Sequence, residues 1–323
     1  MTRIVSLAEI ERVLPSIDVL GEIERGFVAY SRGKVTVPPV GELLFRDPPG
    51  EMHVKYGAID GDDVFVVKIA TGFYGNPARG LPPFSGMMLI FSAITGEPLA
   101  VLLDEGHLTN VRTAAAGALA AKYLAPPKVE AIGILGSGVQ ARLQPQYLKP
   151  VTDCRQVLVW ARDADKAAAC VADLEREGFR ARAASSVAEV AANANLIVTT
   201  TASHEPLLLA EHLRPGMHIT AMGSDTPEKC ELAPELLARA DLVVADSIQQ
   251  CLTRGEIHRA VEAGAFDPAG VVELGTIVEQ PARGRTRADQ ITVADLTGVA
   301  VQDIQIAKAV RARLAAEGDA AAA

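Results

Sequence analysis

The strongest chemical signal in the sequence is a glycine-rich turn, IGILGSGVQA, at residues 132–141. A GxGxxA turn between an apolar strand and a helix is typical of dinucleotide-binding loops, in which the phosphates lie at the helix N-terminus. The alternative is a glycine turn without a ligand. The predicted cofactor contacts are Gly136, Ser137, Gly138, Val139 and Gln140 in the turn, and Thr113, Thr200 and Gly223 elsewhere.

The end of the next predicted strand bears on which dinucleotide fits. Enzymes that use NAD commonly place an Asp or Glu there for the ribose hydroxyls, whereas this chain has Ala161. Arg162 follows it and suits the 2′-phosphate of NADP, unless it is a solvated side chain. Asp163 comes next and could still reach a ribose. The sequence therefore predicts NAD or NADP as cofactor, with residue type favouring NADP.

Three cationic residues are candidates for binding a substrate. Lys68 interrupts the apolar strand VVKIATG, which is costly unless its ammonium group faces a partner or a cleft. Arg112 begins an alanine-rich helix with no acid four residues away, and its planar guanidinium suits a carboxylate. Lys55 lies in the neighbouring segment MHVKYG. The alternative for each is a structural ion pair with one of the 40 acids.

Asp225 is the candidate for acid–base chemistry. It follows the apolar segment HITAM in the sequence GSDTPEK, so it is predicted to lie at the carboxyl end of a strand. Ligands bind at that edge of parallel sheets. The alternative is an Asx turn before Pro227.

Two kinds of architecture are needed to position these residues. Apolar residues at helical spacing over 5–31, with Ser6 in a capping box, predict opening helices. Short β-rich runs between 35 and 91 predict an antiparallel sheet. An alanine-rich helix over 108–125 is stopped by Pro126-Pro127. After it, strands alternate with helices, which indicates βαβ units and a parallel sheet.

A chain of 323 residues exceeds the usual domain size of about 100 to 200 residues. We therefore predict an α/β protein with two domains. Residues 126–299 form a Rossmann dinucleotide-binding domain, and residues 1–125 belong to an α+β domain. Hydrophobic residues make up 49% of the chain and charged residues 22%, as in ordinary globular proteins.

Charge and motif patterns exclude several classes of function. The net charge is −9 without any run of Lys and Arg, so the pattern predicts no nucleic acid and no membrane partner. Charged residues interrupt each apolar stretch near the N-terminus, which favours a cytoplasmic protein without a signal peptide. The four cysteines lack CxxC spacing and the histidines form no metal-binding pair, so no metal site is predicted.

Together these segments resemble the ornithine cyclodeaminase/mu-crystallin family over nearly the whole chain. The segments that carry the resemblance are VVKIATGF, LLDEGHLTNVRTAAAGALAAKYLA, GILGSGVQAR, AMGSDTPEKCEL, VVADS and ITVADLTGVAVQDIQIA. The resemblance implies a homodimer or larger assembly. It also implies that residues 1–125, completed by the C-terminal helix 300–323, form the substrate-binding and dimerisation domain.

The resemblance implies a role for each candidate residue. Lys68 and Asp225 are the implied catalytic residues: Lys68 holds the substrate carboxylate together with Arg112, and Asp225 exchanges a proton. One position departs from the family pattern, because VPPV at residues 37–40 stands where other members have an arginine. The polar groups expected to bind substrate in its place are His53, Lys55 and Ser85.

The family implies hydride exchange between a nicotinamide and a carbon that bears nitrogen. Extra cationic groups favour an anionic substrate, so we predict reduction of a small 2-imino acid, with iminosuccinate to aspartate preferred. One alternative is an ornithine cyclodeaminase that releases ammonia and recycles its NAD. Another is an NADPH-binding protein like mu-crystallin, against which the intact Lys68, Arg112 and Asp225 argue.

Overall fold

A computed structural model gives the structure of the chain, and it describes residues 2–322 and the side chains of residues 2–317. The chain divides into two compact units: Met1–Arg112 with Val299–Ala323, and Thr113–Gly298. The sequence predicts the first division at residues 125/126, so the observed division lies earlier, inside a helix. Residue 323 of the predicted C-terminal helix lies outside the described residues.

The first unit combines helices with a sheet. Its elements are, in order, β1 (Arg3–Ser6), α1 (Leu7–Val13), α2 (Val19–Ser31), β2 (Val35–Thr36), β3 (Gly41–Arg46), β4 (Pro49–Ile59), β5 (Val64–Gly72), β6 (Phe84–Ser92), β7 (Pro98–Leu103) and α3 (His107–Leu124). Its last element, after the second unit, is α11 (Ala300–Ala322). Short 3-10 helices follow α1 and β5, at Leu14–Ser16 and Asn76–Arg79.

The sheet of the first unit has the order β1-β7-β6-β5-β4-β2, with β3 paired to β4. It is antiparallel as predicted, except that β1 lies parallel to β7. Helix α11 packs against β4, β5 and β6 and against α2, so one face of the sheet is covered by helices. The alternation of side chains along each strand then decides which residues meet α11.

The N-terminus contains a predicted cap and an unpredicted strand. Ser6 caps α1 and forms a capping box with Glu9, as the sequence predicts. The residues just before it form β1, which the helical pattern of the segment concealed. Since β1 pairs with β7, its hydrogen bonds come from a strand about 100 residues away, and no local signal marks it.

The second unit has the predicted alternation of strands and helices. Its strands are β8 (Ile132–Leu135), β9 (Gln156–Trp160), β10 (Arg180–Ala183), β11 (Leu196–Thr199), β12 (His218–Ala221), β13 (Leu242–Ala245), β14 (Val272–Glu273) and β15 (Thr292–Asp295). Its helices are α4 (Val139–Leu148), α5 (Ala164–Arg176), α6 (Val187–Asn193), α7 (Pro234–Ala238), α8 (Ile248–Cys251), α9 (Gly255–Glu262) and α10 (Leu274–Glu279). Further 3-10 helices lie at Ala210–His212, Pro268–Gly270 and Pro281–Arg283.

The strands of the second unit form one parallel sheet in the order β10-β9-β8-β11-β12-β15-β13-β14. Strand β15 was not predicted, although it lies between β12 and β13 and all its residues are buried. Between β14 and β15 lies only the short helix α10 among the α-helices of the described chain, so the alternation of strands and long helices did not indicate β15. The carboxyl ends of β8, β11 and β12 lie side by side, which places the glycine-rich turn beside the segments after Thr199 and Ala221.

The division inside α3 has a packing reason. A Cβ atom on Gly117 would lie 2.2 Å from Oε1 of Gln144 in α4, so the later half of α3 approaches α4 closely. Small alanine side chains surround Gly117 and are buried with it. The prolines at 126 and 127 end the helix but do not mark the division. Among residues 2–322, none of the helices has the length and apolar character of a membrane span.

Candidate functional site

The glycine-rich turn connects β8 to α4, and its first glycine is required by geometry. Gly136 has a φ of 129°, a conformation that side chains rarely adopt. A Cβ atom there would lie 2.3 Å from Oγ1 of Thr200. The Gly136 N–H donates to the carbonyl of Trp160 at 2.8 Å, and the Thr200 N–H donates to Leu135 at 2.8 Å. These contacts hold the turn against the ends of β9 and β11.

Gly138 has a different reason to be glycine. It is the N-cap residue of α4 with a negative φ, and a Cβ atom built on it meets no atom within 4 Å. The chain itself would therefore accept a side chain here. A side chain here would, however, block a ligand that approaches the backbone. The open space at Gly138 therefore fits the phosphates of a dinucleotide.

Other side chains stabilise this turn. Arg142 donates to the carbonyls of Ser137 at 2.5 Å and Gly138 at 3.2 Å, and its Nε contacts Asp173. Ala141 is fully buried, as the fingerprint requires. Of the other predicted contacts, Val139 is exposed.

Gln144 links the predicted contacts of α3 and α4. Its amide nitrogen donates to the carbonyl of Thr113 at 3.3 Å and to Oε1 of Gln140 at 3.1 Å. The second unit therefore brings Gln140 and Thr113 close together.

The position for the ribose lies at the end of β9. Asp163 is the N-cap of α5 and accepts the N–H groups of Lys166 and Asp165, both at 3.1 Å. These hydrogen bonds, that from Lys166 first, lower the pKa of its carboxyl group below the ordinary value. Arg162 is exposed to solvent beside it. Asp163 thus caps helix α5, whereas the exposed side chain of Arg162 is accessible to a ligand.

In the first unit, Lys68 and Arg112 meet at one carboxylate on α11. Lys68 Nζ lies 3.0 Å and Arg112 Nε 2.9 Å from the oxygens of Asp303, and these three side chains are nearly inaccessible to solvent. Arg112 also donates to Gln302 Oε1 at 3.0 Å. The ion pair that was the structural alternative is therefore present for both cations. Sequence reasoning missed Asp303, because its partners lie in other elements.

Lys55 belongs to the same cluster. The strand register places it directly opposite Lys68, and it is 7% exposed. Burial raises the pKa of Asp303, but the charges of Arg112, Lys68 and Lys55 outweigh burial and hold that pKa below its ordinary value. We call Lys55, Lys68, Arg112 and Asp303 the cationic cluster.

A second buried acid, Asp104, accepts the N–H of Leu108 at 2.9 Å at the start of α3. Burial raises the pKa of its carboxyl group above the ordinary value, and the negative charge of Asp303 adds a smaller contribution in the same direction. A raised pKa favours the neutral form of this carboxyl group.

Two predicted substrate contacts are not brought into the cationic cluster by direct contacts. His53 lies on the same face as Lys55 but stands 3.4 Å from Glu42 and 3.5 Å from Glu51. Ser85 pairs with Thr71, and this pair lies three residues along the strands from the pair of Lys68 and Met88. An odd separation along a strand places Ser85 on the opposite face of the sheet. A strand residue at this register does not share a face with Lys68, so the substrate contact of Ser85 stays a prediction that the cationic cluster does not support.

In the second unit, Asp225 follows β12 as predicted. Its Oδ1 lies 2.6 Å from Nζ of Lys229, and its side chain is 43% exposed. Its carbonyl accepts a hydrogen bond from Arg254 at 3.1 Å. An exposed carboxylate at the carboxyl edge of the sheet is able to meet a ligand there. Gly223, two residues earlier, is the backbone start of this loop.

Two buried glutamates organise this edge, and sequence reasoning missed both. One oxygen of Glu231 accepts the N–H and hydroxyl of Thr201 at 2.6 and 2.7 Å. The other accepts the hydroxyl of Thr199 at 2.6 Å and the N–H of Gly223 at 2.8 Å. Glu231 thereby ties the ends of β11 and β12 together. The only sequence signal was a charged residue in an otherwise apolar segment, CELA.

Glu256, at the start of α9, holds the other end of the loop. It accepts the hydroxyl of Ser224 and the N–H groups of Glu231 at 2.8 Å and Leu232 at 3.0 Å. Burial, with a smaller contribution from the charge of Glu231, raises its pKa to about 7. The loop that carries Asp225 is thus fixed at both ends by buried hydrogen bonds.

Comparison with known proteins shows the family to which the whole chain is similar. The family model described as the ornithine cyclodeaminase/mu-crystallin family matches residues 1–318. An uncharacterized cyclodeaminase of Sinorhizobium fredii is 44% identical over 94% of this chain and 93% of its own. The alanine dehydrogenase of Archaeoglobus fulgidus is 34% identical, covering 96% and 94%. The iminosuccinate reductase of Paracoccus denitrificans is 33% identical, covering 89% of each chain.

Solved structures agree with these sequences. An archaeal alanine dehydrogenase dimer with bound NAD superposes with a TM-score of 0.89 at 32% identity, covering 98% of this chain and 97% of the other. The Thermococcus litoralis Δ1-pyrroline-2-carboxylate reductase, in complex with NADH and L-proline, gives 0.92 at 26% identity and 98% coverage of both. At the level of these relatives, the predicted fold class, nicotinamide cofactor and oxidoreductase class are confirmed.

The hydrogen bonds of Glu231 lead to a stability prediction. Each carboxylate oxygen of Glu231 accepts a backbone N–H. In Glu231→Gln, the amide NH₂ group must face one of these N–H groups, and two donors cannot form a hydrogen bond with each other. We expect the free energy of unfolding of the second unit, measured by urea denaturation, to fall by about 1–3 kcal/mol.

The matched control is Glu228→Gln, an exposed glutamate in the same loop that should stay within about 0.5 kcal/mol of wild type. Equal midpoints for the two variants would show that Glu231 does not hold the edge together.

Proposed function

The chain belongs to the ornithine cyclodeaminase/mu-crystallin family, and we propose that it is an NAD(P)H-dependent reductase that converts a small 2-imino acid to an L-amino acid. The cationic cluster carries this proposal. It concentrates three cationic side chains, each less than a tenth exposed, around a single carboxylate of α11. Buried positive charge of this kind is suited to binding an anion such as a carboxylate.

Each residue has a proposed role in the reaction. Arg112 and Lys68 bind the 2-carboxylate and orient the substrate, since a guanidinium and an ammonium supply directed charged hydrogen bonds. Asp225 exchanges a proton with the substrate nitrogen. Gly136, Gly138 and the start of α4 would hold the phosphates of the nicotinamide cofactor, which would supply or accept the hydride when bound.

A dicarboxylic substrate is the proposed specificity. Lys55 lies opposite Lys68 on the neighbouring strand and adds a third cation to the cluster. Two carboxylates, as in iminosuccinate, would use this charge better than the single carboxylate of a neutral side chain. The similarity to an iminosuccinate reductase supports the same substrate. We therefore propose iminosuccinate to aspartate as the preferred reaction.

For the cofactor, we propose that the protein accepts NADPH as well as NADH. Asp163 is occupied as the cap of α5, whereas Arg162 is exposed at the position that would meet a 2′-phosphate.

The second candidate is cyclodeamination of a basic amino acid, which the 44% identity to an uncharacterized cyclodeaminase supports. This reaction would recycle NAD and release ammonia without added reductant. The positive cluster argues against it, because ornithine carries an extra cation.

A substrate panel tests the proposed reaction. We expect oxaloacetate with ammonia, which forms iminosuccinate, to oxidise NADH or NADPH faster than pyruvate or glyoxylate with ammonia, measured as absorbance at 340 nm. Ornithine with NAD is assayed in parallel for ammonia. Ammonia release there without net change in the cofactor would replace the reductase by the cyclodeaminase.

The role of Asp225 is tested by Asp225→Asn. Loss of the ionisable group should reduce turnover by about 10²–10⁴-fold and leave the dissociation constant of NADPH unchanged. The exposed Asp153→Asn is the control for the same chemical change. Wild-type turnover in Asp225→Asn would remove this residue from the reaction.

We also propose that the protein is a homodimer through the sheet face opposite the cationic cluster. That face carries half-buried or exposed apolar side chains from five strands: Ile4, Tyr56, Phe65, Val67, Leu89, Phe91, Val101 and Leu103. A contiguous apolar face of this kind is typical of an interaction surface. The dimer of the archaeal alanine dehydrogenase supports a second copy as the partner.

Light scattering tests this assembly. We expect twice the mass of one chain for wild type and a shift toward one chain for Leu103→Glu, which buries a charge in the proposed interface. Leu209→Glu in the second unit is the matched control, since the exposures are 40% and 38%. Dissociation by both variants, or by neither, would contradict this interface.

A further inference from the structure

The contact between Asp225 and Lys229 is unequal in burial. The two residues are four apart in the chain, and Nζ of Lys229 lies 2.6 Å from Oδ1 of Asp225. The lysine side chain is 10% exposed, whereas the aspartate side chain is 43% exposed. The ammonium group is therefore held inside the protein, and the carboxylate is the member of the pair that faces outward.

The surroundings also fix the backbone of this pair. Arg254 donates to the carbonyl of Asp225, and Glu256 binds the segment on either side, at Ser224 and at Glu231. These contacts go to backbone or to neighbouring side chains. Lys229 is a charged group of the same loop that touches the Asp225 carboxylate.

We propose that Lys229 is the positioning residue of Asp225, which it keeps ionised and oriented toward the substrate nitrogen. This inference rests on the proposed role of Asp225. An ammonium group at hydrogen-bond distance favours the charged form of a carboxylate and fixes one of its oxygens. The carboxylate held in this way exchanges its proton with the substrate nitrogen. Arg254 adds positive charge to the loop, and the buried Glu256 and Glu231 oppose it.

The proton balance of the step follows from this arrangement. In amino-acid oxidation, the bound cofactor would accept the hydride from the substrate C–H bond, and the nitrogen lone pair would form the C=N bond. Asp225 takes the proton that the nitrogen gives up, and Lys229 stays protonated throughout. In reduction, the same proton returns from Asp225 to nitrogen.

The test compares Lys229→Met and Lys229→Gln with Lys229→Arg, with the exposed Lys128→Met as control. The measurement is the pH profile of kcat/KM for oxidation of L-aspartate, L-alanine or L-proline, with NAD or NADP. We expect the acid limb to move up by roughly 1–3 pH units in the two neutral variants. Arg and the control should keep the wild-type profile, and cofactor affinity should not change in any variant. The Gln variant serves if Met does not fold.

A second readout does not need turnover. The carboxyl carbon of Asp225, assigned by its loss in Asp225→Asn, is titrated by NMR with ¹³C-labelled aspartate. Its midpoint should rise in Lys229→Gln and stay in Lys229→Arg. Superimposed titrations of wild type and Lys229→Gln would overturn the inference. A wild-type protein inactive on every substrate would instead overturn the proposed function, while the titration still decides the role of Lys229.

Discussion

The carboxylate of Asp303 is the interaction on which the first unit depends. Strands β4 and β5 place two lysines, Lys55 and Lys68, directly opposite each other on one buried face. Like charges in that position repel, and burial adds a large desolvation cost. Asp303 on helix α11 offsets both effects with a negative charge. It forms ion pairs with Lys68 and with Arg112 of α3. Asp303 thus links α11 to β5 and to α3 through two ion pairs.

The second unit solves a related problem with buried acids instead of buried cations. Its loops after β11 and β12 need fixed positions, and Glu231 and Glu256 supply acceptors for their backbone N–H groups. These carboxylates are hydrogen-bonded rather than paired with lysines. The edge is therefore held by buried hydrogen bonds, and Lys229 contacts Asp225 within the same loop.

Local patterns predicted much of the fold and part of the site. The capping box at Ser6, the glycine-rich turn and the βα alternation depend on neighbours within a few residues, and each was found in the structure. Strand β15 and the strand at Arg3–Ser6 were missed, because their partners lie far along the chain.

The same limit applies to the site residues. The types of Lys68 and Arg112 marked them as unusual, but no spacing could identify Asp303 as their shared partner. The face on which Ser85 lies depends on a pairing register that its own sequence does not specify.

Helix α3 has a consequence for how the chain can change length over evolution. Arg112 and Thr113, which end one unit and begin the other, are consecutive residues of the same helix. An inserted or deleted residue in α3 would turn everything beyond it by about 100° around the helix axis. Surface loops such as the one between β5 and β6 tolerate such changes far better. Length variation among descendants of this chain should therefore gather in those loops and spare α3.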